Sequence, residues 1–279
     1  MTKFRGILAR FPVLTYFTLT YISSWLVWTP MVLSGFDSRL LLVSGTFCPL
    51  ASALLLTALI DGCSGIRDLL SRFLIWRVKV GWYLWCFFGS AAVVLAAILI
   101  HLAAGGDSPA WNDPAKLYLV IPVFLYVLVF SVLGEETGWR GFALPRLQKR
   151  IGALGSSLII GIGWGVWHLP LFWISGNFHR QIPFSLFLLQ DIALAVLMTW
   201  LYNATGGSLL LVHLFHAASN TTLGVLPILP IDTGGTLRPL WIAVGFLYML
   251  TLVIVLATRG KLANSCANMR AKPIRLFAR

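Results

Sequence analysis

Glu135 and Glu136 are adjacent and are the only glutamates among the 279 residues. Arg140 follows Glu136 at i+4, the spacing at which side chains on one helix face meet and can ion-pair. Glu135 then lies roughly 100° further round the helix. There it lacks the arginine and sits beside a like charge, which favours a proton-accepting carboxylate. The bland alternative is a helix-end salt bridge, which explains Glu136 and Arg140 and leaves Glu135 over. Trp164 and His168 share a second helix face, and Pro170 behind them frees a backbone carbonyl. A histidine there is either a base or a hydrogen-bonded packing residue. His216 and Asn220 are again i,i+4, so an imidazole and an amide project together. They can hold a developing oxyanion or glue two helices. Asp191, beside Gln190, is a further acid whose partner the sequence does not name, and His213 precedes His216 at H-x-x-H spacing. His101 and His179 fall near the outer interface, where packing explains them. No H-E-x-x-H signature occurs, so a zinc site would require Glu135, His168 and His216 to converge. Cys48, Cys63, Cys86 and Cys266 show neither C-x-x-C nor Cys/His metal spacing, which argues against a disulfide framework or zinc ribbon.

The elements that position these groups are membrane helices. The chain is 58% hydrophobic and 11% charged with a mean hydropathy of +0.86, which excludes a water-soluble globule. Stretches long enough to span a bilayer fall at 11–36, 40–60, 80–106, 117–134, 151–179, 192–231 and 239–258. The stretch 192–231 is too long for one crossing and breaks at the turn cluster Asn203-Ala-Thr-Gly-Gly207. Helices near 184–202 and 207–226 result, for an expected eight. Ionisable side chains inside such spans are costly and default to functional roles.

Charge placement predicts orientation. With an inner N-terminus, only Arg39, Lys116, Arg180 and Arg238 of the 21 cations fall in outer loops. By the positive-inside rule both termini are cytoplasmic, and the net charge of +12 reads as a topology signal instead of a nucleic-acid footprint. The segment GIRDLLSRFLIWRV sets Ile66, Leu69, Leu70, Phe73 and Trp76 at helical spacing and predicts an interfacial amphipathic helix. The basic stretch 140–150 predicts another. The basic N-terminus lacks a short apolar core with a cleavage site after it, so a retained first span is expected instead of a signal peptide. No C-terminal CaaX box or other lipid-anchor signal is visible, and no repeat of 20–50 residues occurs. One all-α membrane domain over 1–279 is expected, its chemistry within 117–225. A basic cytoplasmic tail over 259–279 suits anionic headgroups.

The order Glu135-Glu136-x-x-x-Arg140, then Trp164-x-x-x-His168, then His216-x-x-x-Asn220 resembles the three-motif signature of the CAAX prenyl protease and bacteriocin-processing family of intramembrane proteases. The flanks GEETGWRGFALPRLQ, GWGVWHLPLFW and TWLYNATGGSLLLVHLFHAASN agree, and the likeness is close over 130–225. Trp164 stands where phenylalanine is usual, and His213 lies outside the pattern. The resemblance implies eight helices around a polar cavity open to the cytoplasm and to lipid. It implies a water activated by Glu135 and His168, an oxyanion held by His216 and Asn220, and Glu136 with Arg140 in support. Implied partners are membrane lipids and a membrane-anchored, prenylated or leader-bearing substrate, without nucleic acid, in the plasma (inner) membrane. The family has been described as metal-dependent and as metal-free; with no strong zinc motif, no cofactor is expected and zinc is the alternative.

Depth poses a difficulty. At 1.5 Å per residue, Glu135 sits about a turn from an inner edge near 138. His168 lies ten or more residues deeper when the next helix starts near 153. The two meet only when the fourth helix continues past Trp139 within the membrane or the fifth starts outside it. Two other classes compete: a non-proteolytic scaffold or regulator with the same fold, and a proton-coupled transporter relaying through Glu135, Asp191 and the histidines. Neither inverted repeats nor paired broken helices support the transporter.

Overall fold

In a computed structural model that describes residues 6, 8–110 and 117–263, each of the eight apolar stretches forms helix and no strand occurs among the described residues. The helices are α1 (Pro12–Ser34), α2 (Arg39–Thr46), α3 (Cys48–Ser71), α4 (Val80–Ala103), α5 (Val120–Val127), α6 (Leu133–Glu136), α7 (Leu144–Trp167), α8 (Phe184–Ala204), α9 (Leu209–Val225) and α10 (Arg238–Ala257). Five helical segments are long and apolar enough to cross a membrane: Arg39–Leu74, Val80–Ala103, Val120–Trp167, Phe184–Ala204 and Arg238–Ala257. The chain is an all-α integral membrane protein. Of the expected tail over 259–279, residues 264–279 lie outside the described residues, as does Cys266.

As the depth argument requires, the helix neither stops near 138 nor restarts near 153. Wide π-type turns at Leu128–Val132 and Thr137–Ala143 join α5, α6 and α7 into one helical ribbon of 48 residues, Val120–Trp167. The helix carrying Glu135 therefore runs on past Trp139. Within α7 the path departs from helix only at Gly152 (φ 73, ψ 177), a backbone region that favours glycine. Gly62 (φ 69, ψ −161) makes the equivalent break in α3.

Three local expectations also change. The stretch 140–150 is helical, but its first part is buried and does not lie on the surface: Arg140, Phe142, Ala143 and Leu144 are fully buried, whereas Lys149 and Arg150 are exposed. Gly138 and Gly141 explain why. A Cβ on Gly138 would lie 2.8 Å from the Pro49 carbonyl oxygen, and one on Gly141 2.7 Å from Leu69 Cδ1, so α3 presses directly on this turn. The segment 65–78 is helical only to Leu74, because Ile75 leaves helical geometry (φ −84, ψ 80). Leu70, Leu74 and Trp76 are exposed, Leu69 is buried, and Phe73 packs on His213. The helix in stretch 151–179 ends at Trp167, as the following Leu169-Pro170 requires. Short 3-10 turns at Leu169–Phe172 and Phe178–Gln181 follow. His168 is therefore a helix C-cap residue and not a mid-span one.

Candidate active site

The fully buried Glu136 forms an ion cluster through one of its two oxygens. Arg140 Nη1 donates to its Oε1 at 2.7 Å, one helical turn on, and His216 Nδ1 donates to the same oxygen at 2.8 Å from α9. The Arg140 guanidinium also lies 4.9 Å over the Trp164 ring, a cation–π contact that dehydration strengthens. Three helical segments thus meet at one carboxylate.

Glu135 points elsewhere, as its rotation about the helix requires. It is buried but not unpartnered, which corrects the expectation of a bare carboxylate. Ser131 Oγ donates to Oε1 at 3.0 Å and Trp164 Nε1 donates to Oε2 at 2.8 Å. His168 Nε2 stands 3.9 Å from Oε2, too far for a direct hydrogen bond. The tautomer of His168 follows from its other nitrogen. Nδ1 lies 2.9 Å from the Trp164 carbonyl, which only accepts, so Nδ1 carries the proton and Nε2 a lone pair. Both groups that face each other are therefore acceptors.

The ring of His168 is fixed by aromatic neighbours. Trp164, Trp167 and Phe187 meet it edge-on, and the His179 ring stacks at 5.4 Å. His179 is buried in the turn after α7, and its Nδ1 sits 2.6 Å from Asn177 Oδ1. Burial first, and His168 second, hold the His179 imidazole well below its ordinary range, so this ring is neutral.

His216 and Asn220 do project together. Asn220 Nδ2 is 3.2 Å from His216 Nε2. The neighbouring Ser219 and Ser90 hydroxyls are hydrogen-bonded at 2.5 Å, which pins this part of α9 to α4. Trp164, whose ring centroid lies 5.0 Å from that of His216, touches every other member of the set apart from Asn220 and Glu136. Its central role was missed in the sequence, although its position one turn before His168 pointed to it. His213 is not part of the group: Nδ1 donates to the Leu209 carbonyl at 2.6 Å and the ring packs on Phe73. His101 is likewise remote, with Nε2 3.1 Å from the Asp107 carbonyl. Among the described residues no three His, Cys, Asp or Glu side chains form a metal-holding group.

Residues 117–222, which carry Glu135, Glu136, Arg140, Trp164, His168, His216 and Asn220, match the family described as Type II CAAX prenyl endopeptidase Rce1-like. The three motifs that resemble the CAAX prenyl protease and bacteriocin-processing family thus fall within the matched region. Among curated proteins, CAAX prenyl protease 2 of Methanococcus maripaludis is 25% identical over 229 residues, covering 76% of this chain and 84% of that protein. The family match ends two residues after Asn220, so it spans the three motifs and excludes α10.

Proposed function

We propose that the protein is an intramembrane endopeptidase of the CAAX prenyl protease type, in which Glu135 and His168 activate the hydrolytic water. The observation that carries this reading is the 3.9 Å spacing of Glu135 Oε2 and His168 Nε2. Two acceptors at that distance suit one water oxygen about 2.8 Å from each, with an O–H directed at both. The water oxygen attacks the peptide carbonyl carbon and its proton passes to this pair. The carbonyl oxygen becomes an oxyanion beside Asn220, which supplies an amide N–H. His216, whose Nε2 lies 3.2 Å from that amide, lines the same oxyanion position. The carbon–nitrogen bond then breaks. His168 returns a proton to the leaving amine, and a carboxylate and an amine are released.

We assign the reaction no metal. Zinc takes three protein ligands or more. Here no three His, Cys, Asp or Glu side chains among the described residues come together closely enough to hold it. Stoichiometric zinc, lost together with activity from protein purified without chelator, would overturn this choice. The substrate class is a prenylated or otherwise membrane-anchored peptide, cut near the cytoplasmic face, in agreement with the name of the archaeal relative and with the charge asymmetry of the loops. The test is a comparison of protein termini in cells carrying wild type or Glu135→Ala. A membrane-protein terminus present only with wild type is expected. Identical termini in the two strains would reject the assignment.

A further inference from the structure

Asp191 has no place in the three motifs, yet it is one of the most buried acids in the described residues, 2% exposed. Its Oδ2 has no hydrogen-bond partner. An unpartnered buried carboxylate oxygen is expensive and calls for an explanation. Its nearest charged or titratable neighbour in an ion-pair geometry is His168, whose Nδ1 lies 3.7 Å from Oδ2. This approach is built into the helix packing. Gly161 and Gly165 form a small-xxx-small face on α7, and a Cβ on Gly161 would come within 2.8 Å of Ile192 Cα. A Cβ on Gly165 would stand 2.6 Å from Leu188 Cδ1 and 3.6 Å from Asp191 Oδ2 itself. Close backbone approach of this kind is how small residues join membrane helices, and here it delivers a carboxylate to the back of an imidazole.

We propose that Asp191 is a positioning residue for His168: from behind the ring its charge stabilises the imidazolium formed when Nε2 takes the proton of the attacking water. The inference rests on the reading of Glu135 and His168 as the water-activating pair. The geometry gives each face of the ring one role. On the Nε2 side stands Glu135 at 3.9 Å. On the Nδ1 side stand the Trp164 carbonyl at 2.9 Å and Asp191 at 3.7 Å. Only the carbonyl is within hydrogen-bonding distance and keeps the proton on Nδ1, while the carboxylate acts on the same side of the ring through its charge. The other titratable neighbours are the stacked His179 and, beyond Trp164, His216 on α9. Neither imidazole carries negative charge to take the place of Asp191. Glu135 is the one other carboxylate facing the ring, and it sits on the side where the water reacts.

The sign of the effect follows from charge. A carboxylate beside Nδ1 favours protonated His168, so its removal lowers the pH at which the imidazole titrates. A base must be neutral to accept a proton, so the acid limb of the kcat profile moves to lower pH. Less stabilisation of the imidazolium slows the step itself. Asp191→Asn keeps the shape and removes the charge. In lipid nanodiscs, with cleavage of a farnesylated C-terminal peptide as the assay, kcat is expected to fall about 10- to 100-fold with KM unchanged. The acid limb is expected to shift down by about one pH unit, and Asp191→Glu should recover part of the rate. Nitrogen-15 NMR of the His168 ring, assigned against His168→Gln, reads the same midpoint without substrate. A His168 midpoint and acid limb identical in wild type and Asp191→Asn would overturn the proposal, even if the rate falls. Glu135→Gln, measured in parallel, separates the two ideas. Cleavage that survives it rejects the underlying mechanism. Cleavage that it abolishes, with Asp191→Asn unshifted, rejects the role of Asp191 alone.

Discussion

Glu135 and Glu136 are neighbours in sequence and opposites in environment. Glu136 sits in a closed cluster, with Arg140 at 2.7 Å and His216 at 2.8 Å on one oxygen. Glu135 is held by two neutral donors, Ser131 and Trp164, and faces a histidine that it does not touch. The first arrangement uses a single carboxylate oxygen to fasten α6, the following turn and α9 together. The second fixes the carboxylate while leaving one direction open. One residue of helical rotation therefore separates a structural acid from a reactive one, and each can be perturbed without moving the other.

The largest effect is expected where the closed cluster is opened. Arg140→Leu leaves Glu136 buried beside His216 without its strongest counter-charge, a change that costs about 3–5 kcal/mol. Thermal unfolding in detergent should show a large drop in Tm, with activity lost as well. Glu135→Gln should do the reverse. The amide keeps the shape, so Tm should stay close to wild type while kcat falls by about 10²–10⁴. If Glu135→Gln melted like Arg140→Leu, the division between the two glutamates would collapse. Asn220→Ala comes next. It removes an oxyanion donor worth about 10²-fold in kcat and should leave KM near its wild-type value.

The parts of this contrast that lie within one helix were legible in the sequence, because helical periodicity alone sets them. Glu136 with Arg140 and His216 with Asn220 are i,i+4 pairs, and both meet as spacing requires. The eight apolar stretches were legible for the same reason: hydrophobicity over 20 residues needs no tertiary information. What joins the helices was not. His216 reaches Glu136 across 80 positions and Trp164 reaches Glu135 across 29, and such pairs depend on how helices rotate against one another. The boundaries near 138 and 153 failed for a related reason. Basic residues from 140 onward look interfacial when counted, but Arg140 is buried because Trp164 and Glu136 receive it. Composition sees the charge and not its partners. The Asp191–His168 approach was hidden most fully, since only the packing of the Gly161–Gly165 face creates it.

The smallest expected effect tests how Glu135 is held. Ser131 bonds one carboxylate oxygen and Trp164 the other, so either donor alone limits the pivoting of the group about its Cγ–Cδ bond. Ser131→Ala removes one neutral hydrogen bond, worth about 1 kcal/mol, and kcat should fall no more than about tenfold. Trp164→Phe restores the aromatic residue usual in the family. It takes away the Nε1–H while keeping a ring beneath Arg140, so its effect on kcat should be of similar size. The double variant is the sharper measurement. With both donors gone the carboxylate has lost the two hydrogen bonds that orient it, and the loss should exceed the sum of the single losses by at least about 0.5 kcal/mol. Strict additivity would mean that Glu135 is oriented by helix packing alone and that its two hydrogen bonds only satisfy buried oxygens.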